Sequence, residues 1–436
     1  MALHRNRFLI LFLLVTVMSF LAAGIGTAGP PVRLDLDKCV EMALEVNVSV
    51  LKADYDLDRS AGAVWVSASS ILPSADVRSI ETRYQTSRER WEANQFIDSD
   101  KTYYATLGFT EQISVGGVMG TLESLALKSA SHENKRYVRQ NVAFEAKQKY
   151  LEVLKARKIL EVRQEAQDLS KGRLEKAEAM LEVGSAVRSD VLRAQVEVSS
   201  NELEVISSRN ALRLAETELR HFLRLDDDAE LVLDDIMETE KMEYNLDSAL
   251  ASAMEYRPDI NSARHSLGAA RYSVWRSRGG WFPYVTFSRT YTYQGIDFPD
   301  ELGWFQDYSE WDWRLMLSWD LFDGFYTFGR VKSAKASRKI AEEDLLQVMR
   351  NAALEVKKAA YNVDEARQRL EVSKETVSVA EEELRLSEER YRLGAGTMLE
   401  QIDSQVSLSE ARTSYIEALY DLFLSQASLV RAMGKD

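Results

Sequence analysis

The chain has 436 residues, a formal net charge of −14 and one cysteine, Cys39. No intrachain disulfide can form, and the acidic balance excludes nucleic acid as a partner. The four histidines are scattered, no Cys/His cluster has metal-ligand spacing, and no phosphate loop, HExxH or nucleophile motif occurs. The sequence therefore predicts no enzyme, no metal and no other cofactor.

In chain order the first feature is "MALHRNR", a short basic stretch, followed by "FLILFLLVTVMSFLAA" and the small residues "GIGTA". That order predicts a secretory signal over residues 1–28. No later apolar run reaches the ~18 residues that a spanning helix needs. The rest of the chain reads twice. Trp65 and Trp275, Pro73 and Pro283, and Gly184 and Gly394 are each 210 positions apart. We therefore divide the mature chain into repeat 1 (29–224), a linker or equatorial segment (225–245) and repeat 2 (246–436). Each repeat carries a helical stretch ending at a proline, two strand-like segments, a very long helix, a glycine turn and a shorter helix. Trp65 and Trp275 read as packing within the repeats, and Pro73 and Pro283 as helix-to-strand transitions.

Repeat 1 places strands at about 75–115, a long helix at about 119–182 and a shorter one at about 186–224. "YYATLGFTEQI" alternates Tyr103, Ala105, Leu107 and Phe109 with polar partners. Repeat 2 places strands at about 284–322, a long helix at about 328–392 and a shorter one at about 397–433. Its strands carry Phe287 and Tyr291, then Trp311, Trp313 and Trp319, on the apolar faces, with Arg289 breaking the first of them. Strands of about ten residues with one aromatic-rich face suit a transmembrane barrel, and equally a soluble sheet covered on one side. The signal and the lack of a spanning helix favour the barrel. Four strands cannot close one, because the usual minimum is eight. The barrel must be shared, and strand count alone allows a dimer or a trimer. The connections at about 86–102 and 294–310 read as long polar surface loops.

In the second long helix Leu345, Met349, Ala352, Val356, Ala359 and Val363 begin a series that continues at alternating steps of four and three to Tyr391. That is a heptad seam, so the helix, roughly 100 Å long by its rise per residue, belongs to a left-handed coiled coil. Leu408, Ala411, Tyr415, Ala418 and Leu422 begin the matching seam. At the far end of the hairpin "ERYRLGAGTMLEQIDSQ" carries Gly394, Ala395 and Gly396, and its counterpart "LEVGSAVRSDVLRAQVE" carries Gly184 and Ser185. Glu400 and Asp403, three apart, share a helix face. On one chain they read as a solvated acidic first turn favoured by the helix dipole.

The duplicated halves, "YRPDINSAR" at 256–264, "LP" at 72–73, "LSWDLFDG" at 317–324 and the paired turns together resemble the TolC-like outer-membrane efflux proteins over essentially the whole mature length. The resemblance implies a mixed fold: a long α-helical coiled-coil barrel, plus four transmembrane β-strands per chain that contribute to a twelve-stranded barrel in a homotrimer. It implies the outer membrane of a Gram-negative bacterium, with the helical part in the periplasm. The implied partners are outer-membrane lipid, a periplasmic adapter and an inner-membrane pump or ABC exporter. Such a channel is the exit duct of tripartite efflux or type I secretion. By the same resemblance Glu400 and Asp403 line the periplasmic constriction, and Asp190 and Tyr391 belong to the network linking the hairpins there. The turns (Gly184, Ser185, Gly394, Ala395, Gly396) are the expected adapter-docking surface. Where a well-known member of the family has a basic residue after Gly-x, this chain has Gly396, and for any salt-bridge lock there Arg188 or Arg392 would have to substitute. A coiled-coil envelope tether and a self-standing porin are the competing readings.

Overall fold

The computed structural model describes residues 32–92, 95–226, 231–235, 242–295 and 310–435. The segment read as the signal lies outside them, as does nearly all of the second connection.

The elements run in two matched series. The first is β1 (Val32–Leu34), α1 (Leu36–Val46), α2 (Val48–Ala68), β2 (Ser74–Glu92), β3 (Gln95–Ile113), α3 (Val115–Glu182) and α4 (Arg188–Phe222). After β4 (Leu231–Leu233) come α5 (Leu246–Tyr256), α6 (Pro258–Arg278), β5 (Tyr284–Gly295), β6 (Glu310–Ser318), α7 (Tyr326–Arg392) and α8 (Met398–Ala432). The paired helices have nearly equal lengths: 68 and 67 residues for α3 and α7, and 35 each for α4 and α8. Among the described residues, no helix is long and apolar enough to cross a membrane.

The described residues fall into two compact units. One draws on the described residues within Met1–Asn47, Ala143–Lys241 and Glu365–Leu424, the other on those within Val48–Val142, Met242–Asp364 and Ser425–Asp436. In the first unit β1 and β4 pair in parallel, Val32 opposite Leu231. Tyr150, fully buried on α3, pins this pair by donating its hydroxyl to the carbonyls of Leu34 (3.2 Å) and Asp234 (2.7 Å). Ala380, Leu408 and Ala411 form a small core between α7 and α8, with Val377 and Leu384 against it. Every seam position expected along α7 and α8 is buried or half-buried. Many are Ala or Ser, which lets the helix backbones approach closely.

The second unit contains the sheet, in the order β2-β3-β5-β6 and antiparallel throughout. Pro73 and Pro283 stand immediately before β2 and β5. Pro258 opens α6, where its missing N–H costs no hydrogen bond. The preceding Arg257 grips Asp259 through Nε and Nη2 (3.0 and 2.8 Å), Glu355 through Nη1 (2.8 Å) and the Ala432 carbonyl (3.2 Å). That network ties the start of α6 to α7 and to the end of α8.

Three expectations are corrected. The first connection is not a long loop: β2 and β3 stay paired to Glu92 opposite Gln95, after a register shift between Arg83 and Arg88. Backbone pairing across a hairpin can persist through polar sequence, which hydrophobic patterning does not register. β6 ends at Ser318, so Trp319 lies just beyond the strand, its indole N–H donating to the Trp281 carbonyl at 3.1 Å. Trp65 and Trp275 do not pack in a core; they are 73% and 47% exposed, on α2 and α6.

Candidate functional site

The strand register assigns the faces of the sheet. Directly opposed residues in a ladder lie on one face. The rows Val77–Leu107–Tyr291–Trp311 and Ala75–Phe109–Arg289–Trp313 therefore share a face, with Phe287–Leu315 and Val285–Leu317 beside them. The opposite face carries Asp76–Gly108–Thr290–Asp312 and Arg78–Thr106–Thr292–Glu310. One face is thus aromatic and aliphatic, and the other is hydroxyl-bearing and charged. Phe109, Phe287, Tyr291, Trp311 and Trp313 all fall on the apolar face. Among the described residues, the outer strands β2 and β6 have no further strand beside them.

The second feature is the pair of hairpin tips. Both use the same closure. The Ser185 N–H donates to Met180 O (2.7 Å) and Gly184 N–H to Leu181 O (3.0 Å); Ala395 N–H donates to Arg390 O (2.8 Å) and Gly394 N–H to Tyr391 O (3.0 Å). These are Schellman turns, which require a left-handed residue just past the helix. Gly184 and Gly394 supply it at φ +74° and +73°. Gly396 has a different role. A Cβ there would lie 3.1 Å from both the Arg390 Cβ and the Tyr391 nitrogen, so the position is kept bare by a close approach.

The expected tip residues divide into two sets. Tyr391, in the last turn of α7, packs with Leu174, Val191 and Ile402 around the buried Ala177, Ala194 and Met398. Burial, and next the negative charge of Asp190, push its phenol above the ordinary range. Glu400 and Asp403 are exposed in the first turns of α8, along a groove that also carries Glu382, Glu383 and Arg390. Thr397 caps this helix, its Oγ1 accepting from the Glu400 N–H at 3.2 Å.

Sequence reasoning looked to Arg188 or Arg392 for a basic partner near the bare Gly396. The side chain beside Glu400 is instead that of Arg390, at 3.5 Å, because the turn brings the last turn of α7 over the first of α8. It also missed a buried polar node farther along the hairpins, Arg173 with Glu197 and Gln405. A charge placed in register with the small seam residue Ala194 was the signal available for it.

The fold is shared with solved structures. A membrane protein from Pseudomonas aeruginosa superposes with a TM-score of 0.78 at 20% identity, over 92% of this chain and 93% of that one. The CmeC outer membrane channel of Campylobacter jejuni gives 0.79 at 16%, over 92% and 85%. The outer membrane protein VceC of Vibrio cholerae gives 0.77 at 19%, over 92% and 96%. No curated protein sequence matches the chain significantly. The outer membrane efflux protein family matches residues 39–223 and again 249–435, one match in each half of the duplicated architecture, and the chain belongs to that family of outer-membrane channels.

Proposed function

We propose that three copies of this chain close a twelve-stranded barrel in the outer membrane, and that their helices form a periplasmic tunnel continuous with it. The observation that carries this reading is the four-stranded sheet with one apolar and one polar face and two outer strands open to further pairing. An open edge is not tolerated in lipid, and pairing β6 of one copy with β2 of the next removes it. The duct works as the exit of a tripartite efflux or type I secretion system. Its energy comes from an inner-membrane pump or ABC exporter, joined through a periplasmic adapter that docks on the turns at Gly184–Ser185 and Gly394–Gly396.

The gate in this proposal lies at the tips. Three-fold symmetry turns Glu400 and Asp403 into rings of carboxylates that attract cations and repel anions. Asp190 and Tyr391 hold the two hairpins of a copy together beside the ring. Planar-bilayer recordings of the purified protein test the whole reading. A small cation-selective conductance is expected. No conductance would leave an envelope tether, and a large permanently open pore would make the protein a self-standing porin.

A further inference from the structure

Arg289 stands on the apolar face of the sheet, opposite Phe109 on β3 and Trp313 on β6. A guanidinium on a face turned to hydrocarbon is costly near the membrane midplane and nearly free near its surface. The direction of the side chain shows how the conflict is met. Its guanidinium carbon lies 5.0 Å from the Tyr291 ring centre and 5.3 Å from that of Trp311. Tyr291 and Trp311 are the next opposed pair on this face toward the Gly295 end of β5. Arg289 therefore leans away from the helical end of the strands, its stem lying over apolar surface and its charge framed by two rings. Tyr and Trp concentrate at the headgroup level of membranes, and long cationic side chains snorkel to the same level.

Charge on this face is ordered along the strands. Glu111, opposite Phe287, lies one pair from Arg289 in the other direction. No salt bridge to Arg289 occurs among the described residues. Beyond the aromatic pair, Arg83 and Lys101 oppose each other across β2 and β3, with Arg83 paired to Glu81 and the Lys101 ammonium 5.5 Å from the Tyr103 ring. An arginine held between aromatic rings still presents N–H groups at its edge. The ligand that fits this edge at headgroup depth is a phosphate, which accepts two parallel hydrogen bonds from a guanidinium.

We propose that Arg289, framed by Tyr291 and Trp311, binds the phosphate of an anionic lipid at the level of the headgroups, one site per chain. The proposal rests on the barrel reading, and the experiment separates the two. Full-length protein is reconstituted in nanodiscs of phosphatidylcholine with an equal share of phosphatidylglycerol, and the lipid retained on the protein is counted by native mass spectrometry. Insertion is checked independently by conductance in planar bilayers. The wild type should retain phosphatidylglycerol in preference. Arg289→Gln should lower that enrichment roughly tenfold, the effect of losing one charge-assisted contact. Arg289→Lys, which keeps the charge without the fork, should fall between. Arg83→Gln, on a cation already paired with Glu81, should change it little. A conducting Arg289→Gln or Arg289→Lys protein with wild-type lipid enrichment overturns this site and leaves the barrel standing. A wild type that neither inserts nor conducts overturns both.

Discussion

Arg173 and Glu197 form an ion pair at 2.9 Å with side chains only 8% and 5% exposed, joining α3 to α4. The other guanidinium nitrogen of Arg173 donates to Gln405 of α8 at 2.7 Å, so one residue ties three helices. The second Glu197 oxygen is buried with no hydrogen-bond partner. A buried pair adds little net stability, but removing one partner strands the other charge. Arg173→Met should therefore destabilise the fold by about 3–5 kcal/mol. Arg173→Met with Glu197→Leu should recover most of that loss. Thermal melts of both variants check it, and a double variant no better than the single would contradict the argument.

Glu197 also gives a pH dependence with a definite sign. Burial pushes its carboxyl above the ordinary value of 4.5, against the pull of Arg173. An acid whose native pKa is raised holds its proton more tightly when folded, so its contribution to stability falls as pH rises from the ordinary value through the raised one. The Glu197→Gln variant should lose that part of the pH profile. Denaturation midpoints measured at intervals across this window, on both proteins, decide it. Parallel curves would mean that Glu197 is not the titrating group.

The α7 seam tests packing. Ala359 is 4% exposed and lies between the fully buried Val356 and Val363. Ala359→Leu inserts three carbons where helices meet closely, and should cost about 1–3 kcal/mol. The nearby exposed Tyr361, replaced by Leu, should be almost silent. Equal losses at both positions would show that the seam is not where the coiled coil closes.

Much of this fold was legible because it is periodic. A heptad held from Leu345 to Tyr391 leaves one choice of buried face, and a repeat offset of 210 maps one half on the other. The alternation at Trp311 and Trp313 likewise fixed a face once the register was known. What escaped was set by geometry without period. The β1–β4 pair has three residues per strand, too few for a pattern. Arg390 reaches Glu400 because a turn folds one helix end over another, and neighbouring arginines at 188 and 392 look equivalent in one dimension. Trp65 resembles a core residue by type, and only its helix face shows it exposed.

The glycines at the tips should respond differently. Gly394 is left-handed at φ +73° with open space around it, so Gly394→Ala should carry the conformational cost of about 1–2 kcal/mol. Gly394→Asn should be milder, since Asn tolerates that region. Gly396→Ala instead meets the Arg390 Cβ and backbone atoms of Arg390 and Tyr391, so it should loosen the tip, and truncating the neighbour in Arg390→Ala, which keeps that Cβ, should give no relief. Hydrogen exchange at the tip amides reads each case. If Gly396→Ala exchanges like the wild type, or Arg390→Ala restores it, the close approach to the Arg390 Cβ and backbone is not what keeps position 396 bare.

Arg390 and Glu400 give the most direct reading of the proposed gate. Their 3.5 Å contact is between exposed groups, so it contributes little to stability. Its effect would be on the field at the tip, where each Arg390 offsets one carboxylate. Removing the cation should strengthen cation selectivity, and removing either carboxylate should weaken it. The expected order of cation-to-anion permeability is Arg390→Ala above wild type, and wild type above Asp403→Ala and Glu400→Ala. Loss of Glu400 should be compounded, because it also leaves Arg390 as an unpaired cation at the tip. High salt should compress all the differences, because charges of this exposure are screened beyond about 10 Å at 0.1 M. Reversal potentials under a salt gradient measure the order. A wild-type selectivity unchanged by all three substitutions would place the constriction away from these residues.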